Sequence, residues 1–543
     1  MNRRLSRLAM FLRDRWFSID LRTLGLFRIV FGLRLLIGLM QDTWDGNLVA
    51  FFSNDGVLSN HFALFAPIQP RAWSLLFAVS SPAEVAVAFL AIAAVYVLYT
   101  IGWKTRLMQI LVIVCFISVV NRNLLLQDGG SFVTTVLAVW TAFLPLGARF
   151  SLDSRLARQE MGAAPPPVAG RAERYVSFAC FAVLLQIAVI YLFNAANKYG
   201  PSWSSGTAVH YVLWQNRMNT FFAGILRLHE PGWFSPVMSR ATLIFEWTAP
   251  ALILTPILQT WTRRVLIAGM WSFHLGIAMI LSLGAFSYVM MIGGLLLLGG
   301  RDWDLLERLA ARCQRSWRRR TGRRDVAEAS DGGPWNLLGA ATGTPPPART
   351  APPEQPRPIV SLKRRGARIA REGVAIVLFA AMLSELTLAN PCVPPRLQMQ
   401  SRPEWMAAML HYLRVYQAWG MFSPDAPGQD GIVVVDATLA DGSHVDPLTN
   451  RPPDFDALAH GPWYLGHHWS EYMSYYPWER HRRYRDGLLH HVLRRYARGQ
   501  PPADKSIRSV EIVWLSAQSP PPGKTAPENI RRETLISYVV PPG

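Results

Sequence analysis

One stretch of this chain, Gln186-Ile-Ala-Val-Ile-Tyr-Leu-Phe-Asn-Ala-Ala-Asn-Lys198-Tyr-Gly-Pro-Ser-Trp203-Ser-Ser-Gly206, reads as an apolar helix that carries an ammonium group to the boundary of a membrane. A charged side chain at or near hydrocarbon depth costs free energy unless it is paired, hydrated or neutral. Lys198 is therefore predicted to be a functional residue. The alternative is a lysine that extends from a helix end into the lipid headgroups.

The composition indicates a protein that crosses a membrane several times. Of 543 residues, 51% are hydrophobic and 17% are charged. Most apolar residues fall in runs long enough to cross a hydrocarbon core of about 30 Å. The sequence predicts an all-α polytopic membrane bundle of about nine transmembrane helices with a small C-terminal extramembrane α+β domain. The predicted spans are 24–40, 83–101, 108–120, 132–144, 175–193, 241–258, 265–283, 285–298 and 373–388. Several of them are short enough to be tilted, buried or re-entrant.

The formal net charge of +19 is distributed unevenly along the chain. With the N-terminus in the cytoplasm, the segments predicted inside hold 31 Lys and Arg, and those predicted outside before the last span hold six. This asymmetry obeys the positive-inside rule. The basic runs therefore mark the segments that lie in the cytoplasm, and they predict contacts with anionic lipid. No nucleic-acid partner is expected. The N-terminus lacks a small-residue cleavage site, so the first span is predicted to be retained.

These observations predict a multi-pass protein of the cell inner membrane. The N-terminus is predicted to be cytoplasmic and the C-terminal domain to lie outside. Within the predicted linker, 339–356 is too rich in proline and small residues to pack and is expected to be disordered. The predicted segments are a cytoplasmic N-terminal segment 1–19, a transmembrane core 20–300, a basic, proline-rich cytoplasmic linker 301–370, a final transmembrane helix 371–389, and a periplasmic or extracellular α+β domain 390–543.

The segment 390–543 has turn and strand signals of its own. Asp441-Gly442 lies between apolar runs, which predicts a hairpin turn. Two further strands are predicted at 509–514 and 534–540, and 469–498 is predicted to be largely helical. Eight of the twelve histidines lie in this segment, but no pair at i and i+4 accompanies a carboxylate, so no metal site is predicted. The four cysteines, Cys392 among them, define neither a disulfide framework nor a zinc site.

A few ionisable groups lie within the predicted spans. Glu246 requires a partner, because an unpaired carboxylate in lipid would protonate. Lys198 and Arg28 are both candidates for that partner, and the sequence alone does not choose between them. His274 and Asn194 are further polar groups of the core. An alternative role for every such group is an interhelical hydrogen bond that holds the bundle together.

Several motifs, in this order, resemble the HTTM domain, the transmembrane region shared with vitamin K-dependent gamma-carboxylases. The resemblance covers about residues 20–300. Its two specific parts are the block from Gln186 to Gly206 and the block that joins His274 to Gly284-Ala-Phe-Ser-Tyr-Val-Met-Met291. The remaining matching pieces are Phe27-Arg28-Ile-Val-Phe-Gly32, Asn123, Ser151-Leu-Asp153 and Glu246.

The resemblance implies a catalytic role for Lys198. In the carboxylases the matching lysine is the base that deprotonates reduced vitamin K. A phenolic hydroxyl titrates near pKa 10, so a lysine accepts its proton only where desolvation keeps the amine neutral. The implied cofactor is a reduced quinone of the vitamin K or menaquinone type, and no metal is predicted. The resemblance supplies the candidate cofactor-binding residues Glu246, His274, Arg28, Asn194, Trp203 and Tyr288.

The chain also departs from the carboxylases. Residues 390–543 are far shorter than the lumenal part that binds the carboxylase substrate, and Asn197 stands where carboxylases often carry a second lysine. Three hypotheses follow. The first is a quinol-dependent carboxylase-like or epoxidase enzyme of the carbon–carbon lyase class, acting on a polypeptide or a small molecule at the bilayer. The others are a non-catalytic lipid or quinone binder, and a membrane anchor that presents the C-terminal domain.

Overall fold

Helices form most of the protein. A computed structural model describes residues 2–65, 67–69, 71–160, 174–320, 362–399, 401–460 and 465–541, and its residues are 64% helical. The α-helices are α1 (Asn2–Trp16), α2 (Leu21–Thr43), α3 (Asn60–Phe65), α4 (Pro82–Ile101), α5 (Thr105–Arg122), α6 (Gly129–Ala142), α7 (Leu152–Glu160), α8 (Phe178–Ala196), α9 (Pro201–Ser205), α10 (Ala208–Leu213), α11 (Phe221–Leu228), α12 (Phe234–Leu254), α13 (Gln259–Ile280), α14 (Phe286–Leu295), α15 (Gly300–Arg320), α16 (Leu362–Ala389), α17 (Glu404–Leu413), α18 (Ala457–His460), α19 (His467–Tyr475) and α20 (Arg485–Arg498).

Six of these helices are long and apolar enough to cross a membrane. They are α2, α4, α5, α8, α12 and α16, so the predicted number of about nine spans is not confirmed for the described residues. The remaining predicted spans correspond to α6, α13 and α14. With 14 and 10 residues, α6 and α14 extend about 21 Å and 15 Å at 1.5 Å per residue, less than a hydrocarbon core. α13 has 22 residues, but Arg263, Arg264 and His274 lower its hydropathy.

α8 has the largest buried share of the six helices. α6, α12 and α16 pack against it. Its first turn is capped from both sides, because Ser177 accepts a hydrogen bond from the Ala179 amide and Glu372 of α16 accepts one from the Phe178 amide at 2.8 Å. This anchoring sets the position of the opposite end of α8, where Lys198 follows.

Arg28 holds together the loops near the start of α2. It is completely buried, and its guanidinium donates hydrogen bonds to the carbonyls of Thr100, Leu146, Arg149 and Phe150. Gly102 ends α4 at φ +76°, and a Cβ there would lie 2.8 Å from the guanidinium. Glycine is therefore required at this position both by the backbone conformation and by the close approach of Arg28.

The described part of the chain contains six strands, which form two antiparallel sheets. The first is a two-stranded sheet that joins the starts of α2 and α8, and the second is the C-terminal sheet in the order β4-β3-β5-β6. As predicted, the hairpin turn at Asp441-Gly442 joins β3 to β4, with Gly442 at φ +83°. The strands are β1 (Ser18–Asp20), β2 (Arg174–Val176), β3 (Gln429–Leu439), β4 (His444–Val445), β5 (Ile507–Gln518) and β6 (Glu528–Val539).

The C-terminal residues pack directly on the helical bundle. A single hydrophobic cluster contains Val183 and Ile187 of α8 together with Trp419 and Val433 of the C-terminal part. Polar contacts cross the same junction, among them a hydrogen bond of 2.8 Å from Gln186 to Gln417. The sheet and the bundle therefore share one continuous core.

Parts of the predicted linker are helical. Residues 301–320 belong to α15, and α16 already begins at Leu362. The stretch 339–356, for which disorder was expected, lies outside the described residues.

A cluster of titratable groups lies where α19 meets the bundle. His467 Nε2 is 3.1 Å from an oxygen of Asp128, its Nδ1 is 3.1 Å from the Ser282 carbonyl, and Glu471 lies 4.0 Å away. Burial by itself would lower the pKa of His467, but the hydrogen bond and the charge of Asp128 outweigh it and raise the pKa to about 8. Burial raises the pKa of Glu471 to about 7 despite the nearby histidine.

These pKa values predict that the junction weakens as the pH rises. A histidine with a raised pKa stabilises the fold fully below about pH 6.5, and that stabilisation is lost as the pH passes 8. The buried carboxyl of Glu471, whose pKa is also raised, likewise loses its contribution to stability as the pH rises from about 4.5 to 7. Raising the pKa of His467 from 6.5 to about 8 corresponds to a stabilisation of the fold by about 2 kcal/mol. We expect the unfolding temperature in detergent to fall between pH 6.5 and 8, and to fall less in His467→Gln; equal slopes would contradict this.

Candidate functional site

Lys198 lies immediately beyond the last turn of α8. The helix ends at Ala196, and the Lys198 amide still donates to the Ala195 carbonyl at 3.1 Å. Pro201 then starts the short helix α9, so the chain turns at Lys198 rather than continuing outwards. The side chain does not extend into solvent, since only 3% of it is exposed.

Glu246 of α12 is the partner of Lys198. Lys198 Nζ lies 2.5 Å and 2.6 Å from the two carboxylate oxygens, and 7% of the Glu246 side chain is exposed. The two residues are brought together because α12 packs along the length of α8. Of the two candidate partners for Glu246, the structure therefore selects Lys198.

Pro250 affects the backbone at Glu246. It lies inside α12, one turn after Glu246, and proline has no N–H to donate to the carbonyl four residues earlier. The main-chain carbonyl of Glu246 therefore cannot accept the hydrogen bond that a residue with an N–H at position 250 would supply.

Trp203 covers the ammonium group. Its ring centroid is 4.8 Å from Lys198 Nζ, within the range of a cation–π contact, and the residue is 4% exposed. Its indole N–H donates to the Phe422 carbonyl at 2.8 Å, which fixes the orientation of the ring. Lys198 is thus held between a carboxylate and an aromatic face.

The segment from Met421 to Asp425 covers this end of α8. The Met421 amide donates to the Asn194 side-chain oxygen at 2.8 Å. Gly200 donates its N–H to the Pro424 carbonyl at 2.9 Å, and Asp425 accepts from the Ser202 amide at 2.7 Å. Asn194 therefore joins the helix to the C-terminal part.

Asn197 forms a second connection to the same part of the chain. Its amide group donates to the Trp419 carbonyl at 2.7 Å and to the side chain of Asn390 at 3.1 Å, and its oxygen accepts from the Cys392 amide. An asparagine can make all of these contacts, whereas a second lysine has no acceptor to offer. Asn197, which stands where carboxylases often carry a second lysine, therefore has a structural role.

His274 occupies an adjacent buried position. Its Nε2 is 2.7 Å from the hydroxyl of Tyr191, and its Nδ1 is buried without a hydrogen-bond partner among the described residues. Since each nitrogen of a neutral imidazole is either a donor or an acceptor, one bonding position of this ring remains available. A ligand with one hydroxyl or carbonyl could occupy it.

Aromatic rings enclose His274. Phe273 and Phe286 lie 5.2 Å and 5.6 Å from its ring, and Phe245 contacts Tyr191 at 5.5 Å. Phe245 precedes Glu246 directly, and Tyr191 lies two turns before Lys198 on α8. Tyr191, which contacts His274, is also within electrostatic range of Glu246 and so relates the histidine to the pair.

The predicted site residues therefore separate into two groups. Lys198, Glu246 and Trp203 are in contact, Asn194 lies one turn before Lys198 on α8, and His274 is linked to them through Tyr191. Arg28 lies in the second turn of α2, towards the start of α8 and away from Lys198. Tyr288 is 47% exposed and its ring is 5.9 Å from the guanidinium of Arg34. The structure does not bring these two residues to the Lys198–Glu246 pair.

Sequence reasoning missed two parts of this site. Tyr191 lies within the stretch 186–206 but carried no separate signal, because a tyrosine in an apolar helix has the pattern of a core residue. The covering segment 421–425 lies more than 200 residues from Lys198 in the chain, and no spacing rule connects the two.

The electrostatic state of Lys198 depends on its burial. Loss of water lowers the pKa of Lys198 below that of a solvated lysine, and the carboxylate of Glu246 opposes this change. Together the two groups hold one proton between them in their resting state. Addition of a second proton would leave an ammonium beside a neutral carboxyl, which places a net positive charge in a dry site.

Comparison with known proteins gives one match. A family model described as the HTTM domain matches residues 16–303, which is more than half of the 543 residues. No curated protein and no solved structure matches the chain.

The burial of the pair predicts a non-additive response to mutation. Lys198→Met or Glu246→Leu alone leaves an uncompensated buried charge, and we expect each to lower the free energy of unfolding by about 3–5 kcal/mol. The double variant removes both charges and is expected to lose much less than the sum. Denaturant titration in detergent micelles measures all three. Lys524→Met and Glu528→Leu, at an exposed ion pair of 2.6 Å, form the control cycle, with a coupling below about 1 kcal/mol. Additive losses at Lys198 and Glu246 would contradict the prediction.

Proposed function

This chain belongs to the HTTM domain family, and we propose that it is a quinol-dependent membrane enzyme in which Lys198 and Glu246 together accept a proton. The observation that supports this proposal is the buried ion pair beside an incompletely hydrogen-bonded histidine. The six apolar helices make the chain a multi-pass membrane protein, so a lipid-soluble co-substrate would reach this site through the bilayer.

The residues present fit a reduced quinone. Such a molecule has an apolar ring with a hydroxyl at each end, and the site offers aromatic walls with separate polar groups. His274 Nδ1 would bond one hydroxyl, and the carboxylate of Glu246 would accept from the other. The reduced quinone supplies a weakly acidic hydroxyl and reducing electrons for a reaction with oxygen.

The protein's part in the reaction is to take and hold a proton. The Lys198 amine would accept the proton of a phenolic hydroxyl, whose pKa is near 10, when the proton that the pair shares lies on the Glu246 carboxyl. The pair would then consist of an ammonium and a neutral carboxyl. Its positive charge would stabilise a phenolate, because electrostatic attraction is strong where water is excluded. Trp203 and the segment 421–425 exclude water from Lys198.

Epoxide formation tests this proposal. Purified protein in lipid nanodiscs would be incubated with reduced menaquinone or vitamin K and oxygen, and the epoxide quantified by chromatography. We expect activity in the wild type and a loss of at least about 100-fold in Lys198→Ala and Glu246→Gln, because positioned proton transfer contributes that much. Lys524→Ala, from the exposed ion pair, should retain full activity. Wild-type rates in Lys198→Ala would exclude the assigned role. Binding of quinone without epoxide would instead identify a non-catalytic quinone binder.

We also propose that the protein lies in the inner membrane with its N-terminus in the cytoplasm and residues 390–543 outside, as the charge asymmetry supports. Two native cysteines provide the test, since Cys313 of α15 is exposed and Cys392 is partly exposed. On spheroplasts, a membrane-impermeant maleimide should label Cys392 and leave Cys313 unlabelled until the membrane is permeabilised. Cys392→Ser should abolish the first signal. Labelling of Cys313 in intact spheroplasts would show the opposite orientation.

A further inference from the structure

Five arginines surround a groove at the end of the bundle where α8 begins. The groove has a volume of about 970 Å³ and is lined by α1, α5, β2 and α16. Arg13, Arg106, Arg174, Arg368 and Arg371 line it, together with Tyr175. This site is separate from Lys198, which lies beyond the opposite end of α8.

The groove has more positive charge than its own carboxylates neutralise. Asp14 accepts from Arg13 at 2.9 Å, and Glu372 lies 3.2 Å from Arg371. Glu372 also caps the first turn of α8, so its charge is shared with that helix end. Among the described residues, two carboxylates thus accompany five guanidinium groups. Arg106 lies close enough to Arg371 for the two charges to repel each other.

The guanidinium groups keep donors available. Among the described residues, neither Arg174 nor Arg368 forms an ion pair or a side-chain hydrogen bond. Arg371 lies over the ring of Tyr175 at 5.5 Å, and its Nε is buried without a partner. Arg106 is fixed in place by the carbonyls of Ala142 and Leu144, at 3.1 Å and 3.0 Å. The groove is therefore a fixed positive frame with unused N–H groups.

The level of the groove relative to the membrane indicates the source of its ligand. Arg106, Tyr175 and Arg371 lie near the N-terminal ends of three candidate membrane spans, α5, α8 and α16. Arg106 is in the first turn of α5, where the helix end adds partial positive charge. The end of a spanning helix is at the level of the lipid headgroups. Basic pockets between transmembrane helices at this level bind phosphate-bearing headgroups.

We propose that this groove binds a phosphate anion, as the headgroup of an anionic phospholipid or as a soluble polyphosphate. Guanidinium groups match phosphate oxygens in pairs, so Arg174 and Arg368 would each offer two N–H donors to the anion. The bound phosphate compensates the repulsion between Arg106 and Arg371 and joins α1, α5 and α16. The ligand thereby stabilises the arrangement of the helices around α8.

Native mass spectrometry of the full chain tests the proposal. Protein released from nanodiscs that contain cardiolipin, phosphatidylglycerol and phosphatidylcholine should retain anionic lipid. Arg174→Gln/Arg368→Gln should retain at least tenfold less. Arg308→Gln/Arg312→Gln, which removes two exposed arginines of α15 outside the groove, should retain as much as the wild type. Equal retention by the groove variant, or equal loss in both variants, would overturn the site.

A second arm separates the two sources of phosphate. In phosphatidylcholine nanodiscs, inorganic pyrophosphate is added and the unfolding temperature measured. A rise in the wild type that is absent from the groove variant supports a soluble polyphosphate, whereas a rise with cardiolipin alone supports a lipid. Arg174→Lys/Arg368→Lys keeps the charge and removes the paired donors, and its lipid retention should be intermediate. No effect of either phosphate source on any of these proteins would overturn the proposal.

Discussion

The contact between Lys198 and Glu246 places two opposite charges where almost no water reaches them. Each charge alone would be costly in this environment, so each makes the other necessary. The requirement determines how this end of the bundle is built. α8 must end at Lys198, α12 must pack along α8, and other groups must cover the pair. Trp203 supplies an aromatic face, and the C-terminal part supplies the hydrogen bonds that hold the covering segment in place.

The C-terminal part forms one side of the buried site around Lys198. Residues 421–425 bind to Asn194, Gly200, Ser202 and Trp203, and the hydrophobic core continues from α8 into the sheet. A domain that was merely carried by a membrane anchor would not need to complete the surroundings of a buried lysine. These contacts favour an enzyme or a quinone binder over an anchor that presents an independent domain.

The two ends of α8 differ in how they handle positive charge. At the Lys198 end a single ammonium is matched by a single carboxylate and shielded from water. At the other end, the guanidinium of Arg28 donates hydrogen bonds to main-chain carbonyls, and in the described part of the chain the nearby groove carries five arginines against two carboxylates. A matched charge suits the transfer of one proton, whereas an excess of fixed charge suits the binding of an anion.

Much of the architecture follows from local properties of the chain. Apolar runs of sufficient length specify membrane helices, and an Asp-Gly pair between apolar strands specifies a hairpin, because both depend on neighbouring residues only. The motifs in 186–206 and 274–291 were enough to identify the HTTM family, and the match over residues 16–303 confirms it. The predicted number of about nine spans is not confirmed for the described residues, because α6 and α14 are short, largely buried helices and six helices are long and apolar enough to cross a membrane.

Tertiary structure decided which polar groups meet. Lys198 and Arg28 were equal candidates for Glu246 in the sequence, and only the packing of α12 along α8 chose Lys198. Arg28 and Tyr288 belong to the same family motifs yet lie apart from the pair, because a motif preserves order along the chain and not distance in space. The covering segment 421–425 and the arginine groove depend on residues from distant parts of the chain. Charge and hydropathy along a sequence specify what must be buried or neutralised, and the fold alone determines by which partner.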